Sequence, residues 1–286
     1  MQSNFRLCVF EFAIKIMKAI HIASSAPAFA KGKTAVSAED FDLYCTALSA
    51  LQWRKNGGKI TMCCDSRYAE YYREIGFADV WDEIRVCIAD DLEGINPLMF
   101  WAGGKLLALR EVSAPVAMID TDFIVWKNPP FGSEIIAAHR EDISDGIYPP
   151  LSFFKTRGHV IPDFSETEKP LNTAFLYLPD NDIKEFYTSQ AIAFMKSAED
   201  ADDFLKYMVF AEQRMIAMCA DYTGTPVKTL LDKDSLFRPQ DDFTHLWGAK
   251  QAMRDNRELR ADFVAKCRAR LKSDFPEYLY LAEIIN

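Results

Sequence analysis

The chain has 286 residues, of which 49% are hydrophobic and 26% are charged, values typical of a globular protein with one large or two small domains. The formal net charge of −9 argues against a nucleic-acid-binding protein, because such proteins gain most of their affinity by neutralising phosphates. A phosphate-bearing ligand would have to be held by a few local basic side chains or by a metal ion.

The N-terminal 30 residues resemble a secretory signal in one respect. SSAPAFA, ending at Ala30, is typical of a signal-peptidase site, but charged and polar residues interrupt the segment that would be its apolar region: Glu11, Lys15, Lys18 and His21. We therefore predict no signal peptide, and residues 1–16 are expected to be an extension before the domain. Seven cysteines without a CxxC pair favour reduced thiols and a cytoplasmic protein.

Apolar runs alternate with helical patterns in the first third of the chain. KAIHIAS (18–24), KITMCCD (59–65) and WDEIRVCI (81–88) are predicted strands. The helix between the first two is expected to follow Ser37 as its N-cap, with Asp40 three residues later, and to end at Gly57 and Gly58. A short helix is predicted over SRYAEYYREIG, which closes at Gly76.

The same alternation continues to the end of the chain. A helix is predicted from Asn96 and Pro97 to about Val112, because Asn is a favoured N-cap and Pro a favoured first residue. Strands are predicted at 116–120, 171–179 and 225–231, with helices over 181–221 and no clear pattern over 131–170. This order predicts an α/β fold, a single domain with a mainly parallel central sheet flanked by helices.

Two aspartates, Asp120 and Asp122, interrupt the apolar stretch VAMIDTDFIVWKNPPF (116–131). Burying a carboxylate is unfavourable unless it is paired or binds a metal. The pair follows a predicted strand, at the edge where α/β sheets bind ligands, and residues two apart in an extended segment share a face. Two carboxylates on one side suit a hard divalent cation that also bridges substrate phosphates. The alternative interpretation is a polar strand end without a function.

With its flanking segments, this stretch resembles the GT-A fold glycosyltransferases, whose apolar-DxD-apolar motif holds manganese against the diphosphate of a nucleotide sugar. The resemblance spans roughly residues 17–271 as scattered motifs. Three of them follow the order of the retaining family-8 enzymes: LNTAFLYL (171–178), FAEQRMIAM (210–218) and HLWGAKQ (245–251). It implies a Rossmann-like GT-A domain over residues 17–286.

The resemblance also implies roles for eight residues. The implied ligands of Mn²⁺ or Mg²⁺ are Asp120, Asp122 and His245. The residues implied to hold the nucleotide-sugar diphosphate are the same two aspartates with Lys105 and Lys250. Those implied to line the place where donor sugar and acceptor meet are Asn172, Glu212 and Gln213. Each has a structural alternative, such as a solvated lysine, a turn-forming asparagine, an exposed helical Glu-Gln pair or a structural histidine.

The function implied is metal-dependent transfer of a hexose from a nucleotide sugar, with UDP as the expected nucleotide, to a glycan or glycolipid acceptor. Family-8 enzymes retain the anomeric configuration, whereas an inverting variant would use Glu212 as a general base. The chain departs from the family at two places: Glu212-Gln213-Arg214 replaces an Asp-Gln-Asp segment, and Lys250 follows His245 after five positions, with Gln251 in place of a proline. These departures favour a neighbouring clade.

Two rival functions follow from the same residues. IDTDFI approaches the DxDx[TV] motif of haloacid-dehalogenase-like phosphohydrolases, but Ile124 stands where Thr or Val is expected. The other rival is a nucleotide-sugar-binding protein without turnover. Thermal stabilisation by UDP with manganese separates the rivals, because a specific ligand of the folded state raises the melting temperature.

The C-terminal segment 250–272 is basic, with eight basic and three acidic residues and an apolar stripe at every fourth position: Leu259, Phe263, Cys267 and Leu271. One interpretation is a helix that packs against the domain with a solvated basic face. The other is peripheral contact with an anionic membrane surface, which would suit a lipid-linked acceptor.

Overall fold

The structure is a computed structural model that describes residues 16–144, 146–232, 235 and 238–285. All but the last residue of the predicted N-terminal extension lies outside the described residues. No helix among those described is long and apolar enough to cross a membrane.

Seven strands form one central sheet, and two short strands form a separate antiparallel pair. The strands are β1 (Lys18–Ala23), β2 (Lys59–Cys64), β3 (Glu83–Val86), β4 (Val116–Ile119), β5 (Phe123–Val125), β6 (Ile135–Arg140), β7 (Leu171–Leu178), β8 (Val227–Thr229) and β9 (Phe243–His245). The central order is β3-β2-β1-β4-β7-β6-β8, in which β7 alone is antiparallel to its neighbours. The predicted α/β fold with a mainly parallel sheet is confirmed.

Ten α-helices are found among the described residues: α1 (Ala26–Ala30), α2 (Asp40–Lys55), α3 (Ser66–Glu74), α4 (Gly103–Arg110), α5 (Asn181–Ser197), α6 (Phe204–Val209), α7 (Met215–Thr223), α8 (Ala249–Asp255), α9 (Arg257–Asp274) and α10 (Leu281–Ile284). A π-helical segment, Phe210–Arg214, joins α6 to α7. Short 3₁₀ turns lie at Ala78–Val80, Leu92–Gly94, Leu151–Phe153 and Pro276–Tyr278.

The helices cover the sheet on both faces, and alternate strand residues divide between the two layers. On β4, Met118 packs in the layer that contains α4, α5 and α7, whereas Ala117 and Ile119 pack in the layer that contains α2 and α9. Cys63 and Cys64 divide in the same way, as expected for adjacent strand residues, and both are free thiols. Burial on both faces explains why the strands read as continuous apolar runs.

Several element boundaries differ from the sequence predictions. Helix α2 begins at Asp40 after Glu39, so Ser37 is not its N-cap. Asn96 does accept hydrogen bonds from Leu98 N and Met99 N, but turns follow it and α4 begins only at Gly103. The final strand of the chain is β9 rather than the predicted one at 225–231, where the structure has the shorter β8.

The basic C-terminal segment forms two helices that pack on α2. Asn256 ends α8 and caps α9, because its side-chain oxygen accepts from Glu258 N and Leu259 N. Several basic side chains of the C-terminal segment have partners within the chain: Arg254 with Glu39, Arg260 with Glu39 and Asp40, Arg268 with the Tyr44 hydroxyl, and Arg270 with Asp274. These pairings favour packing against the domain, and membrane contact stays a prediction.

A buried histidine, His21, ties β1 to the segment after the aspartate pair. Trp81 Nε1 donates to its Nδ1 (3.1 Å), so its Nε2 donates to Ser49 Oγ (3.0 Å), which donates to the Phe123 carbonyl (2.5 Å). Burial lowers the pKa of His21 to about 3, an effect that Asp122 opposes. The chain of hydrogen bonds therefore needs a neutral imidazole.

The free energy of unfolding is expected to fall by about 2 kcal/mol through His21 alone when the pH falls from about 7.5 to about 5. A histidine with a lowered folded-state pKa stabilises the fold above the unfolded value near 6.5, and this contribution is lost as the pH falls towards the folded value. His159 and His245 act in the same direction. Denaturant unfolding at both pH values measures this change in the free energy of unfolding. The change should be smaller in His21→Asn. Equal stability of the wild type at both pH values would contradict the prediction.

Candidate functional site

A cavity of about 410 Å³ opens at the carboxyl ends of β1 and β4. Parallel α/β sheets bind ligands at this edge. Antiparallel β7 brings its first residues to the same edge, and Asp120 N donates to the Ala174 carbonyl there (2.8 Å). The lining comprises Ile22, Ser24, Trp101, Ala102, Gly104, Lys105, Asp120, Asp122, Asn172, Thr173, Ala174, Glu212, Gln213, His245 and Trp247.

The end of β2, a parallel neighbour of β1, does not contribute to this cavity. None of residues 59–65 is among the lining residues. The Asp65 carboxylate is buried, caps α3 by accepting from Tyr68 N (3.0 Å), and also accepts from Ser25 N. Its hydrogen-bonding capacity is thus used within the fold.

The aspartate pair lies in a tight turn after β4. Phe123 N donates to the Asp120 carbonyl (2.9 Å), and both carboxylates line the cavity. The expected common side for Asp120 and Asp122 is therefore found, although a turn produces it rather than the alternation of an extended strand.

Lys105, on α4, lines the cavity and is bound by two carboxylates. Its Nζ lies 2.6 Å from Asp120 Oδ1 and 2.6 Å from Glu212 Oε1. Burial lowers the pKa of Lys105, but Asp120 and Glu212 outweigh burial and raise it above its ordinary value. Burial raises the pKa of Asp120 to about 7, an effect that Lys105 opposes. Lys105 is a fixed cation among acidic groups, not a solvated helix residue.

Lys250, on α8, makes the corresponding contact with the second aspartate. Its Nζ lies 3.1 Å from Asp122 Oδ2 and 3.0 Å from Asp42 Oδ1 on α2. Burial lowers the pKa of Lys250, whereas the two carboxylates raise it and prevail. Each aspartate of the pair is therefore bridged by a lysine to a further carboxylate.

His245 reaches the cavity because β9 pairs with β5, with Phe123 opposite His245. Leu246 N donates to the Asp122 carbonyl (3.1 Å), which ties the two segments together next to the aspartate pair. Burial lowers the pKa of His245 to about 4, and Asp122 opposes this effect. The imidazole is therefore neutral near pH 7 and keeps a lone pair for a ligand.

Asp120, Asp122 and His245 line the cavity and are the residues implied to hold Mn²⁺ or Mg²⁺. Two carboxylates and a neutral imidazole are suitable donors. In the free site they are not arranged around an ion, since across the described ranges no group of three or more His, Cys, Asp or Glu residues is placed to hold a metal. Asp120 and Asp122 are instead paired with lysines. The free site is an ion-pair network.

The π-helical segment places Glu212 and Gln213 at the cavity. π-helical segments are rare in proteins, and those that occur often lie at functional sites. Glu212 is buried, and its Oε1 accepts from Thr173 Oγ1 (2.8 Å) in addition to Lys105, while the Tyr187 hydroxyl donates to its carbonyl (2.6 Å). Gln213 Oε1 accepts from the Tyr148 hydroxyl (2.6 Å). The alternative of an exposed Glu-Gln pair is therefore wrong.

Asn172 lies near the start of β7 and lines the cavity while serving the strand. Its Oδ1 accepts from Ala174 N (3.1 Å), and its Nδ2 donates to Glu141 Oε1 (3.4 Å). Both interpretations of this residue, strand start and cavity residue, agree with these contacts.

Several residues at or beside the cavity were missed from the sequence. They are Asp42, Trp101, His139, Tyr148, Thr173 and Trp247. Only Thr173 and Trp247 lie inside a recognised motif, and the resemblance implied roles for their neighbours Asn172 and His245 instead. The others come from segments that the fold alone brings together.

Three solved structures that are similar to this chain are of glycosyltransferases. The PaToxG glycosyltransferase is 13% identical with a TM-score of 0.40, covering 94% of this chain and 86% of that chain. The galactosyltransferase LgtC in complex with donor and acceptor sugar analogs is 12% identical with a TM-score of 0.37, covering 74% and 73%. An active-site mutant of LgtC is 12% identical with a TM-score of 0.39, covering 86% of this chain and 96% of that chain. No protein-family model and no curated protein matches the chain. At these TM-scores the structural similarity supports no conclusion about function. The argument for a function must come from the site.

Proposed function

We propose that the protein is a GT-A type glycosyltransferase that moves a hexose from a nucleotide sugar, with UDP as the expected nucleotide, to a glycan or glycolipid acceptor. One observation carries the proposal. At the ligand-binding edge of the sheet, Lys105 and Lys250 each bridge one aspartate of the DxD pair to a second carboxylate.

The two lysines suit a diphosphate in an otherwise acidic protein. The chain carries a net charge of −9, so an anionic ligand needs local cations. The Lys105 ammonium group lines the cavity, the Lys250 ammonium group pairs with the lining residue Asp122, and lysine binds phosphate as a point charge. As the bond between the sugar and the diphosphate breaks, these charges stabilise the departing diphosphate.

A divalent cation enters the proposal as part of the substrate, bound to the diphosphate when it arrives. The aspartate oxygens are paired with lysines in the free site, and exchange of these partners would free the lysines for the phosphates. Asp120, Asp122 and His245 supply donors of the right kind for the cation. The chemistry that such a cation supplies is charge stabilisation of the leaving group.

The donor sugar, and the point at which it meets the acceptor, are assigned to the side of the cavity formed by β7 and the π-helical segment. Asn172 and Gln213 would contact the sugar, because both line the cavity and offer amide groups. Glu212 is better suited to positioning Lys105 than to acting as a base for an inverting reaction, since Lys105 and Thr173 already bind its Oε1. This favours retention of configuration.

The experiment is release of nucleoside diphosphate from a panel of UDP- and GDP-sugars, first with water and then with glycosides as acceptors. Turnover of one donor supports the proposal. Binding of UDP without turnover of any donor would indicate the non-catalytic binding protein. Hydrolysis of p-nitrophenyl phosphate without any response to UDP would indicate the phosphohydrolase.

UDP is expected to bind at least about tenfold more tightly in manganese than in chelator, a difference of about 1.4 kcal/mol. Manganese alone should give little heat with the protein, because lysines engage the aspartates in the free site. Isothermal titration calorimetry measures both. Equal affinity in manganese and in chelator would show that the aspartate pair has no cation to hold.

A further inference from the structure

A second cavity, of about 540 Å³, meets the first one at two shared residues, His245 and Trp247. Phe123, Phe243 and the 246–249 segment form much of its wall, and His139 on β6 contributes a polar side chain. Because the two cavities share a wall, a ligand at the shared residues would lie beside the donor site.

His139 presents an unsatisfied acceptor at this junction. The residue is 2% exposed, and its Nε2 has no hydrogen-bond partner among the described residues. Its Nδ1 lies 3.3 Å from the Arg140 carbonyl and 3.6 Å from Glu141 Oε1, which assigns the proton to Nδ1 and leaves a lone pair on Nε2. Buried polar atoms are rarely left without a partner, and because His139 lines the second cavity a water molecule or a ligand hydroxyl there can supply one.

The position of His139 in the sheet brings it next to the donor site. His139 on β6 pairs in register with Asn172 on β7, and directly opposed residues of an antiparallel pair lie on the same face. Asn172 lines the first cavity. A group bound to His139 Nε2 is thus one strand away from the residues assigned to the donor sugar.

Trp247 covers this junction in the free protein. Its ring centroid lies 5.7 Å from that of His139 and 6.2 Å from that of His245, and the side chain is 48% exposed. Its φ of +35° is in the left-handed region, which is strained for a bulky residue and is found at ligand clamps. An exposed indole in this position can shift and pack its face against a sugar ring.

We propose that the junction of the two cavities is the acceptor subsite, where a carbohydrate hydroxyl donates a hydrogen bond to His139 Nε2 and Trp247 packs against the sugar ring. The proposal deepens the proposed function and rests on it. It specifies a neutral, hydroxyl-rich acceptor that binds next to the donor and shifts Trp247 from its position over His139.

The first test uses the small number of histidines, four in the whole chain, which makes imidazole ¹⁵N spectra tractable. The histidine-labelled protein is titrated with the methyl glycosides of glucose, galactose, mannose and N-acetylglucosamine. UDP and magnesium are present, because paramagnetic manganese would broaden the nearby imidazole resonances. The Nε2 resonance of His139 should shift saturably with at least one glycoside. His159 is the matched control, since its Nε2 also lacks a partner and it lines neither cavity. No shift at His139, or an equal shift at His159, would overturn the proposal.

The second test compares transfer to the glycoside with hydrolysis of the donor. His139→Phe should lower the ratio of transfer to hydrolysis about tenfold, as loss of one buried hydrogen bond predicts, and His139→Gln should restore part of it through its amide oxygen. His159→Phe should leave the ratio unchanged. A constant ratio in His139→Phe, with hydrolysis intact, would refute the subsite alone, whereas absence of both transfer and donor hydrolysis in the wild type would refute the proposed function.

Discussion

Asp122→Asn is expected to reduce both sugar transfer and hydrolysis of the donor by a factor on the order of 10²–10³. The amide keeps the shape of the side chain but removes the charge that pairs with Lys250 and would bind the cation. Both reactions need a stabilised leaving diphosphate, so both should fall together. Release of nucleoside diphosphate and formation of glycoside, measured on one donor, give the two rates.

The control for this variant is Asp242→Asn. Asp242 also pairs with a lysine, Lys127 at 2.9 Å, but its side chain is 64% exposed and lies outside the cavity. The Asp242→Asn variant should transfer sugar and hydrolyse the donor at the wild-type rates. If Asp122→Asn remains folded, as judged by its melting temperature, and still hydrolyses the donor at the wild-type rate, the aspartate pair is only a polar turn and the glycosyltransferase proposal loses its main support.

The sequence predicted the elements whose apolar pattern is set locally. β1, β2, β4 and β7 are buried on both faces or nearly so, and their apolar runs are visible without the structure. β5, β6 and β9 were missed, because β5 and β9 are three residues long and β6 lies in a segment dominated by turns. Only the pairing of β5 with β9 defines them as strands, and such pairing is not encoded in either segment alone.

The candidate site shows the same division. All eight residues selected from motifs except Lys250 line the first cavity, and Lys250 contacts it through Asp122. Their partners were not predictable, since Asp42 on α2 and Thr173 on β7 meet them only through tertiary packing. The contact between His139 and Trp247 was also not predictable, because it depends on the register of β6 and β7 and on the turn after β9.

Lys105→Met should lower the free energy of unfolding by about 3–5 kcal/mol, the usual effect of breaking a buried ion pair by removing one partner. The Lys105 ammonium is bound between Asp120 and Glu212, and the variant leaves these two carboxylates together without a cation. Burial and the neighbouring carboxylates, no longer opposed by Lys105, then raise the pKa of Asp120 above the unfolded value, as for other carboxyl groups buried without a cation. Such groups stabilise the fold below the unfolded pKa, and this contribution is lost as the pH rises. Urea unfolding at about pH 5 and about pH 8 should show the larger loss at the higher pH.

The double variant Lys105→Met/Glu212→Gln separates this explanation from simple loss of packing. Removing the second carboxylate relieves the repulsion, so the double variant should be more stable than Lys105→Met and should depend less on pH. Lys127→Met is the matched control, because that lysine also pairs with an aspartate but at the exposed surface, where ion pairs contribute little. Activity need not recover with stability in the double variant, since the diphosphate still lacks the Lys105 charge. A double variant less stable than Lys105→Met would mean that the Glu212 carboxylate is stabilised mainly by Thr173 rather than by the ion pair.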